Sequence, residues 1–561
     1  MTNAVQPSVE ESAAIKPLEV PSGAGAPPRK SLFRASYLAY LFVLLFGLAC
    51  LSQFLAGAYD SEFAGYPDEG SHFITGVMIR DYVAGGFPAK PLKYAYEYYR
   101  HYPRISFGHW PPLYYSIEAA WFLVFPVSRG SALMFIAVSA ALAAAVLIAW
   151  LRWPLGLPAA AFVGVFWLAL PAVQENISLV MIEMFFAAVT FLAAWQCARH
   201  LDRPSLKSAG ILGALIFLGV MTKGNGWLLA PLYVLALLLA GRPLFTWQSV
   251  LTGAIVALAL PFQLLTLNTV QSALPGQFGV GPAVSSLLGF LASFPELCGW
   301  PVALLAAGQL VWLGYTSIRQ RRYLSTHDAV MAALLLSTLV FHSVVNAGVE
   351  SRKMIVGLPA ILYFAAAGAL NLLGRAPRLS IPPAARVAIA PALAIVAIAG
   401  SPIRNVPAKP KWGLTTGALP SAQDANVLVS GSGSFEGATV CEIAMLDRNR
   451  PHRYVFRGTK VLADTDWNSR NYRLKVDAAG LDHFLDAMPI SWIALENPSA
   501  VAALPHHRML LDLLGKSRSK WELVTVTQGD GTAGASIYHR VGPVPGGPWQ
   551  SAWDQSPGSP F

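Results

Sequence analysis

Ionisable side chains lie beside apolar runs in four parts of this 561-residue chain, where an unpaired charge is costly. They are Asp68 and Glu69 after the first apolar run, Glu183 within the fourth, Lys223 at the end of the fifth, and Glu350, Arg352 and Lys353 before the tenth. A charged residue at the centre of a membrane helix costs about 2.5–3.5 kcal/mol, so it usually has a partner or a task. Carboxylates facing fixed cations can accept a proton and stabilise a developing negative charge.

Each of these residues also has a purely structural interpretation. Asp68 and Glu69 can cap the helix that the pattern predicts from Gly70 to Tyr82, because acids are favourable at helix N-termini. Glu183 can be a hydrogen-bond partner between helices, and the three cations can extend to lipid headgroups. Chance would scatter such residues over both membrane surfaces, so their predicted convergence on one surface favours a functional site.

The composition indicates that much of the chain faces lipid. Hydrophobic residues make up 55% of the chain and charged residues only 12%, with a mean hydropathy of +0.48. Soluble globular proteins carry about a quarter charged residues. This composition excludes a disordered chain and a nucleic-acid partner, despite the net charge of +10. The four cysteines match no metal or disulfide spacing, and they are Cys50, Cys197, Cys298 and Cys441.

Apolar runs predict a polytopic α-helical membrane protein with about 11 transmembrane helices. Residues 1–35, rich in Pro, Ala and Ser, are predicted to be a disordered cytoplasmic tail. The first run, about 36–56, is too long for a cleaved signal and is predicted to be retained. A long first outer loop, 57–130, separates it from the second run at about 131–151. The other runs lie near 156–173, 176–197, 208–222, 226–241, 247–267, 297–317, 328–346, 355–373 and 384–401.

Basic residues predict the orientation of these spans. With the N-terminus in the cytoplasm, the cytoplasmic loops contain Arg152, Arg199, Arg203, Lys207, Arg242, Arg319, Arg321, Arg322, Arg375, Arg378 and Arg386. The short outer connections contain only Lys223, Arg352 and Lys353. This asymmetry follows the positive-inside rule. We therefore expect a multi-pass protein of the cell (inner or plasma) membrane, with the transmembrane part at 36–401 and residues 402–561 outside the cytoplasm.

The chain beyond residue 402 has the pattern of a soluble α/β domain. Short β-rich runs alternate with helical patterns and with Gly and Pro turns, which is typical of a small α/β domain. The predicted strands include Val427–Ser430, Tyr454–Arg457, Trp492–Glu496 and Trp521–Val526, and the predicted helices include Glu436–Asp447 and Leu481–Ala487.

Aromatic residues are concentrated in the long first loop, which includes Tyr94, Tyr96, Tyr98, Tyr99, Tyr102, Trp110, Tyr114 and Tyr115. At a membrane surface such residues usually form the interfacial belt. Their faces can also pack against sugar rings or isoprenoid chains. The Pro111–Pro112 step ends one element and begins an amphipathic segment that runs to about Phe125, so the loop is predicted to be ordered on the membrane.

Five motifs in order resemble a known family. They are the Asp-Glu pair after the first span, Pro-Pro-Leu-Tyr-Tyr late in the first loop, the acid beside Met184 in the fourth span, Gly219–Gly224, and Glu350–Lys353 leading to Leu358–Pro359. The chain thus resembles the GT-C superfamily of glycosyltransferases over residues 36–375. It is most similar there to the protein O-mannosyltransferase and aminoarabinose (lipid A) transferase group.

The resemblance implies an inverting transfer of a sugar from a polyprenyl-phosphate donor to a protein, lipid or glycan acceptor on the extracytoplasmic face. It implies that Asp68 is the general base, with Glu69 supporting it and Glu183 in a polar role. Donor-phosphate ligands would be Lys223, Arg352, Lys353 and His109, and stacking residues would be Tyr114 and Trp110. The chain departs from the pattern where relatives often have Lys at position 110 and an aromatic residue at position 353.

Such a donor carries its own leaving group, so the expected chemistry needs a base and fixed cations. No cofactor is expected to be obligatory. A divalent metal ion between Asp68, Glu69 and His109 is chemically allowed but not required.

Two other functions are compatible with the same residues. A transporter or flippase of a lipid-linked substrate would use buried acids for ion coupling and outer cations for headgroup capture. Such proteins often show repeat symmetry and helices broken at the bilayer midplane, whereas here the acids are predicted near one face. An assembly protein would act through its outer domain, and Asp68 would then be dispensable.

Overall fold

A computed structural model describes residues 35–63, 65–105, 110–264, 279–345, 348–375, 395–396, 398–400, 412–414, 417–421, 425–465, 472–497, 504–529 and 534–544. Its first part is helical. The helices are α1 (Ala35–Leu55), α2 (Pro67–Ala84), α3 (Pro91–His101), α4 (Leu113–Val124), α5 (Arg129–Leu155), α6 (Leu157–Ala169), α7 (Pro171–Ile177), α8 (Glu183–Asp202), α9 (Leu206–Thr222), α10 (Leu229–Leu239), α11 (Trp247–Ala257), α12 (Val280–Cys298), α13 (Trp300–Gln320), α14 (Thr326–Val344) and α15 (Leu358–Arg375).

Helix α5 lies at the centre of the apolar bundle. The Ser128 hydroxyl caps its N-terminus by accepting from the Ser131 N–H, and a run of alanines lets neighbouring helices approach closely. Its buried side chains pack against α1, α6 and α8. Where Gly164 of α6 meets Ile148 of α5, an added Cβ would lie 2.5 Å from the isoleucine side chain. Close helix packing therefore holds this core together.

Within the described residues, four helices are long and apolar enough to cross a membrane, namely α5, α12, α13 and α14. The pair α6 and α7 would make a fifth, although it is bent by 64°. Shorter apolar helices occur at Ala39–Leu55, Leu113–Val124, Leu206–Thr222, Gly224–Leu239, Trp247–Ala257 and Leu358–Leu373. The number of eleven spans stays a prediction, and most of the run at 384–401 lies outside the described residues.

The sequence predicted neither the break before α8 nor helix α12. The run 176–197 is not one helix: α7 ends at Ile177, and α8 begins only at Glu183. Glu183 is therefore the first residue of its helix and not several residues inside a span. Helix α12 was not predicted at all, because Ser, Gly, Pro295 and Glu296 interrupt its apolar character.

The first loop is ordered by helices α2, α3 and α4. Pro67 begins α2, where its missing N–H costs nothing, and Tyr66 precedes it in an extended conformation. Helix α2 packs against α4 on one side. On the other side it packs against α16 (Gly433–Leu446), which follows the membrane part in the chain.

The last part of the chain contains a five-stranded mixed sheet of order β2-β1-β5-β7-β6. Strands β1 (Val427–Ser430), β2 (Val455–Arg457) and β5 (Trp492–Glu496) are parallel, and β7 (Gly534–Arg540) runs antiparallel to β5 and β6 (Trp521–Gln528). A two-stranded ribbon joins β3 (Ala463–Thr465) and β4 (Tyr472–Leu474). The remaining helices are α17 (Gly458–Val461), α18 (Leu481–Ala487) and α19 (Pro505–Lys516). The division of the chain into domains at residue 402 stays a prediction.

The sheet region and the first loop share one core. Asp81 of α2 accepts from Arg450 at 2.9 Å and from the Tyr98 hydroxyl at 2.8 Å. Tyr102 donates to Asp447, and the Trp412 N–H donates to Glu62 at 2.8 Å. These buried polar contacts surround apolar side chains from both parts. The last part of the chain therefore fixes the position of α2.

Candidate active site

The two adjacent acids at the start of α2 have different environments. The Asp68 side chain is 21% exposed, and one of its carboxylate oxygens lies 3.7 Å from Arg352. The Glu69 side chain is fully buried and faces Arg129 at 3.1 Å. Successive helical residues point about 100° apart, so two neighbours need not serve one site.

Glu69 holds three segments together. Its carboxylate accepts from the Val180 N–H at 2.9 Å and from the Gly65 N–H at 3.0 Å, besides its ion pair with Arg129. Arg129, at the start of α5, also donates to the Ala58 carbonyl and lies over the Phe63 ring. The geometry thus makes Glu69 a positioning residue that anchors α2 to α5 and to the connection before α8.

We expect Glu69→Gln to lower the free energy of unfolding by about 3 kcal/mol, because it leaves the buried Arg129 without its counter-charge. Thermal unfolding of the purified variant and wild type in one detergent measures this change. The exposed acid Glu97 offers a matched control, and Glu97→Gln should unfold within about 0.5 kcal/mol of the wild type. Equal stability of the Glu69→Gln variant would contradict the anchoring role.

Glu183 begins α8 and contacts two cations from other segments. Lys223, which follows α9, donates to its Oε1 at 2.8 Å, and Arg352 lies 3.7 Å from the same oxygen. The other oxygen, Oε2, is buried and has no hydrogen-bond partner among the described residues. A carboxylate at a helix N-terminus is stabilised by the helix dipole. Glu183 therefore positions two cations at the start of its helix.

Arg352 lies in a 3-10 turn, Ser351–Met354, just before α15. Its Nε donates to Glu350 at 2.6 Å, while its Nη1 lies 3.7 Å from both Asp68 and Glu183. The guanidinium also lies 4.5 Å from the centroid of the Tyr66 ring. Burial lowers the pKa of Arg352, but Glu183 and Glu350 outweigh it, so the pKa lies above its ordinary value. Arg352 is the group that joins the carboxylates of this site.

Lys353 is oriented by the same turn. Its ammonium lies 3.2 Å from Glu350 and donates to the Gly348 carbonyl at 2.6 Å. Burial lowers the pKa of Lys353 in spite of Glu350. Burial also opposes ionisation of Glu350, yet Arg352 and Lys353 bring its pKa below the ordinary value. Three cations, Lys223, Arg352 and Lys353, thus face the three carboxylates of Asp68, Glu183 and Glu350.

The remaining predicted site residues differ in their surroundings. Trp110 is half-buried, with its ring centroid 4.5 Å from that of His72. Tyr114 is fully buried, and its hydroxyl donates to Glu118 at 3.3 Å. Trp110 is therefore the more accessible of the two for stacking against a ligand. His109 lies outside the described residues.

His72 is a residue of this site that the sequence analysis missed. It lies four residues after Asp68, on the same face of α2, and that spacing was the available signal. Its Nδ1 is hydrogen-bonded to the Tyr115 hydroxyl at 2.7 Å. Burial lowers the pKa of His72 to about 4, against the opposing effect of Asp68 and Glu183 and with the help of Lys223 and Arg352. The His72 imidazole is thus uncharged near pH 7 and borders the site.

We expect stability to fall as the pH drops from about 6.5 towards 4, because the unfolded chain binds a proton at His72 that the folded chain does not. The loss attributable to His72 is roughly 3 kcal/mol across that range. In His72→Gln this part of the pH dependence should disappear. Thermal unfolding at pH 4.5 and 7 for both proteins measures the difference, and parallel profiles would contradict the prediction.

Metal ligands were the other possibility raised by the acids. In the ranges that the structure describes, no group of three or more His, Cys, Asp and Glu side chains is arranged to hold a metal ion. Asp68 and Glu69, two of the three side chains considered as metal ligands, contact different cations and so do not face one common point.

Comparison with known proteins defines the fold. No protein-family model and no curated protein sequence matches the chain. Among solved structures, that of ArnT from Cupriavidus metallidurans bound to undecaprenyl phosphate aligns with a TM-score of 0.53 at 14% identity, covering 92% of this chain and 100% of that one. The apo structure of the same protein gives 0.52 at 14% identity, over 91% and 99%.

The chain therefore shares the fold of ArnT, which agrees with the fold that the GT-C resemblance predicted. The alignment with ArnT extends over the whole length of that chain. At 14% identity the similarity is one of fold.

Proposed function

We propose that this chain is a multi-pass membrane glycosyltransferase that moves a sugar from a polyprenyl-phosphate donor to an acceptor hydroxyl or amine. The GT-C fold supports the class of reaction. The presence of undecaprenyl phosphate in one ArnT structure supports the class of donor. The charged cluster described above supports the chemistry. The departing phosphate needs cations near it, and the acceptor needs a carboxylate that takes its proton.

The observation that carries this proposal is the loose contact between Asp68 and Arg352. Arg352 is held at 2.6 Å by Glu350 but lies 3.7 Å from both Asp68 and Glu183. A partly exposed carboxylate next to a cation that is already positioned can exchange that contact for an acceptor group. The cation can then face a phosphate, with which an Arg side chain forms two parallel hydrogen bonds.

In the proposed reaction, Asp68 takes the proton of the acceptor hydroxyl or amine. The acceptor atom forms a bond to the anomeric carbon while the bond from that carbon to the phosphate oxygen breaks. Attack from the side opposite the leaving group inverts the anomeric centre. The bonding electron pair moves to the phosphate oxygen, so polyprenyl phosphate gains one negative charge, and Arg352, Lys223 and Lys353 stabilise that charge. Glu183 and Glu350 keep these cations in place before the donor binds.

The proposed location of the candidate active site is the extracytoplasmic surface of the cell membrane. The positive-inside pattern of the loops supports a cytoplasmic N-terminus and an extracytoplasmic site. With this orientation, the sheet region, which packs on α2, lies outside the cytoplasm together with the site. The acceptor, which is a protein, a lipid or a glycan, would reach Asp68 from the same side.

Sugar loss from a panel of polyprenyl-phosphate sugars tests the proposal. The purified full-length protein is incubated with each donor and with extracts that contain protein, lipid or glycan acceptors, and the release of polyprenyl phosphate is measured. We expect release with at least one donor, dependent on an acceptor and about 10³-fold slower in Asp68→Asn. Movement of an intact lipid-linked sugar across vesicles without its cleavage would instead show the transporter function and overturn this proposal.

A further inference from the structure

A polar cavity lies at the end of the helical bundle opposite the candidate active site. It has a volume of about 730 Å³ and is formed where α5 and α8 end and α9 and α14 begin. Arg152, Arg199, Arg203 and Lys207 contribute four cations to its lining, and Asp202 contributes a single carboxylate. The lining is therefore strongly basic.

Three of these helices, α5, α8 and α9, have residues of the candidate active site or of the Glu69 anchor at or next to their opposite ends. Arg129 starts α5 and Glu183 starts α8, while Lys223 directly follows α9. At 1.5 Å per residue, Arg129 and Arg152 are about 35 Å apart along α5, and Glu183 and Arg199 are about 24 Å apart along α8. These lengths match a hydrocarbon core of about 30 Å. The cavity therefore lies at the membrane surface opposite the candidate active site.

Hydrogen bonds hold several of the uncharged side chains that line this cavity. The Trp150 indole can only donate, and it donates to Nδ1 of His327 at 3.1 Å. His327 therefore carries its ring proton on Nε2, and this residue lines the cavity. Ser205 caps the 17-residue helix α9, whose positive N-terminus borders the cavity. Gln196 donates to the Ser208 carbonyl at 3.0 Å and ties α8 to α9 there.

The surroundings of the cavity favour a lipid over a free anion. Trp153 is 69% exposed beside the Arg152 guanidinium, which lies 5.1 Å from the centroid of the indole ring. Ile211 is also exposed at the cavity edge. Exposed Trp and Ile side chains near a membrane surface contact lipid chains, while Arg and Lys side chains contact headgroups.

We propose that this cavity binds the phosphate headgroup of an anionic phospholipid at the membrane surface opposite the candidate active site. Arg199, Arg203 and Lys207 would contact the phosphate together with the His327 Nε2–H. Trp153 would lie along the acyl chain. This site is independent of the reaction proposed above and uses none of its residues.

Native mass spectrometry of the purified full-length protein tests the site. The protein in a zwitterionic phosphatidylcholine background is titrated with dihexanoyl phosphatidylglycerol and, separately, with inorganic phosphate. We expect saturable binding of one phosphatidylglycerol per chain and about tenfold weaker binding in the variant Arg199→Gln/Arg203→Gln. The charge-conserving Arg199→Lys/Arg203→Lys should keep most of the affinity.

A matched control is available on the same membrane surface. Arg242→Gln/Arg319→Gln removes two cations outside the cavity lining and should bind as the wild type does. The exposed Lys207→Gln gives a second test that does not depend on the folding of the double variant. Unchanged affinity in the cavity variants would overturn the site. Equal affinity for inorganic phosphate and phosphatidylglycerol would overturn the assignment to a lipid.

Discussion

Asp68→Asn is expected to lower the rate of sugar transfer by about 10³-fold, within the range of 10²–10⁴ that a general base contributes. The amide keeps the size and most hydrogen bonds of the carboxylate but does not accept a proton at neutral pH. Because the Asp68 side chain is partly exposed and 3.7 Å from Arg352, its replacement should leave the fold intact. The measurement is the release of polyprenyl phosphate from donor in a single turnover, at saturating acceptor.

Two variants make this result specific. Asp60→Asn removes an exposed acid from the same loop and should retain the wild-type rate. Glu69→Gln should lower stability, but the fraction that stays folded should transfer sugar at a rate within about tenfold of the wild type. If Asp68→Asn keeps more than about a tenth of the wild-type rate, Asp68 is not the base. If Glu69→Gln in its folded state matches the loss at Asp68, the two acids act together in catalysis.

The pair Asp68 and Glu69 shows what a sequence can and cannot predict about a site. Both acids stand out as an adjacent pair in the loop after the first apolar run, and both were expected to belong to the site. Only the position of α5 explains why Glu69 meets Arg129. That position depends on helix packing among apolar side chains, which many arrangements of the same sequence pattern satisfy.

The convergence of Glu183, Lys223 and Arg352 was predictable for a simpler reason. Helices that cross a membrane in alternating directions place the end of one next to the start of the following one. Glu183 starts α8, Lys223 follows α9, and Arg352 precedes α15, so these residues fall at the same end of the bundle. The depth of Glu183 was harder to predict, because the break between α7 and α8 lies inside a continuous apolar run.

The sheet region was easier to predict than the membrane region. Predicted strands at Val427–Ser430 and Trp492–Glu496 occur with those bounds, as does the helix Leu481–Ala487. Turns and short buried strands leave clear local signals in water. In lipid, by contrast, apolar residues face both outward and inward, so composition does not show where helix α12 begins and ends.

Arg352→Gln is expected to lower the efficiency of sugar transfer by about 10²- to 10³-fold, the usual cost of removing a group that stabilises charge in the transition state. Arg352 meets both candidate carboxylates and is held by Glu350, so no other described cation occupies the same position. Binding of undecaprenyl phosphate should weaken about tenfold or more, since a hydrogen bond to a charged group contributes about 1.5–3 kcal/mol.

A comparison of three variants separates the charge of Arg352 from its shape. Arg352→Lys keeps the charge but loses the paired N–H groups, so it should recover part of the undecaprenyl-phosphate affinity and little of the transfer rate. Lys90→Gln removes an exposed cation of the first loop and should change neither. Binding is measured by titration of undecaprenyl phosphate into purified protein, and transfer is measured by its release from donor. If Arg352→Gln weakens neither binding nor transfer, the cation at the centre of this cluster does not contact the phosphate. The cluster would then serve to join α2, α8 and the turn before α15 in the folded protein.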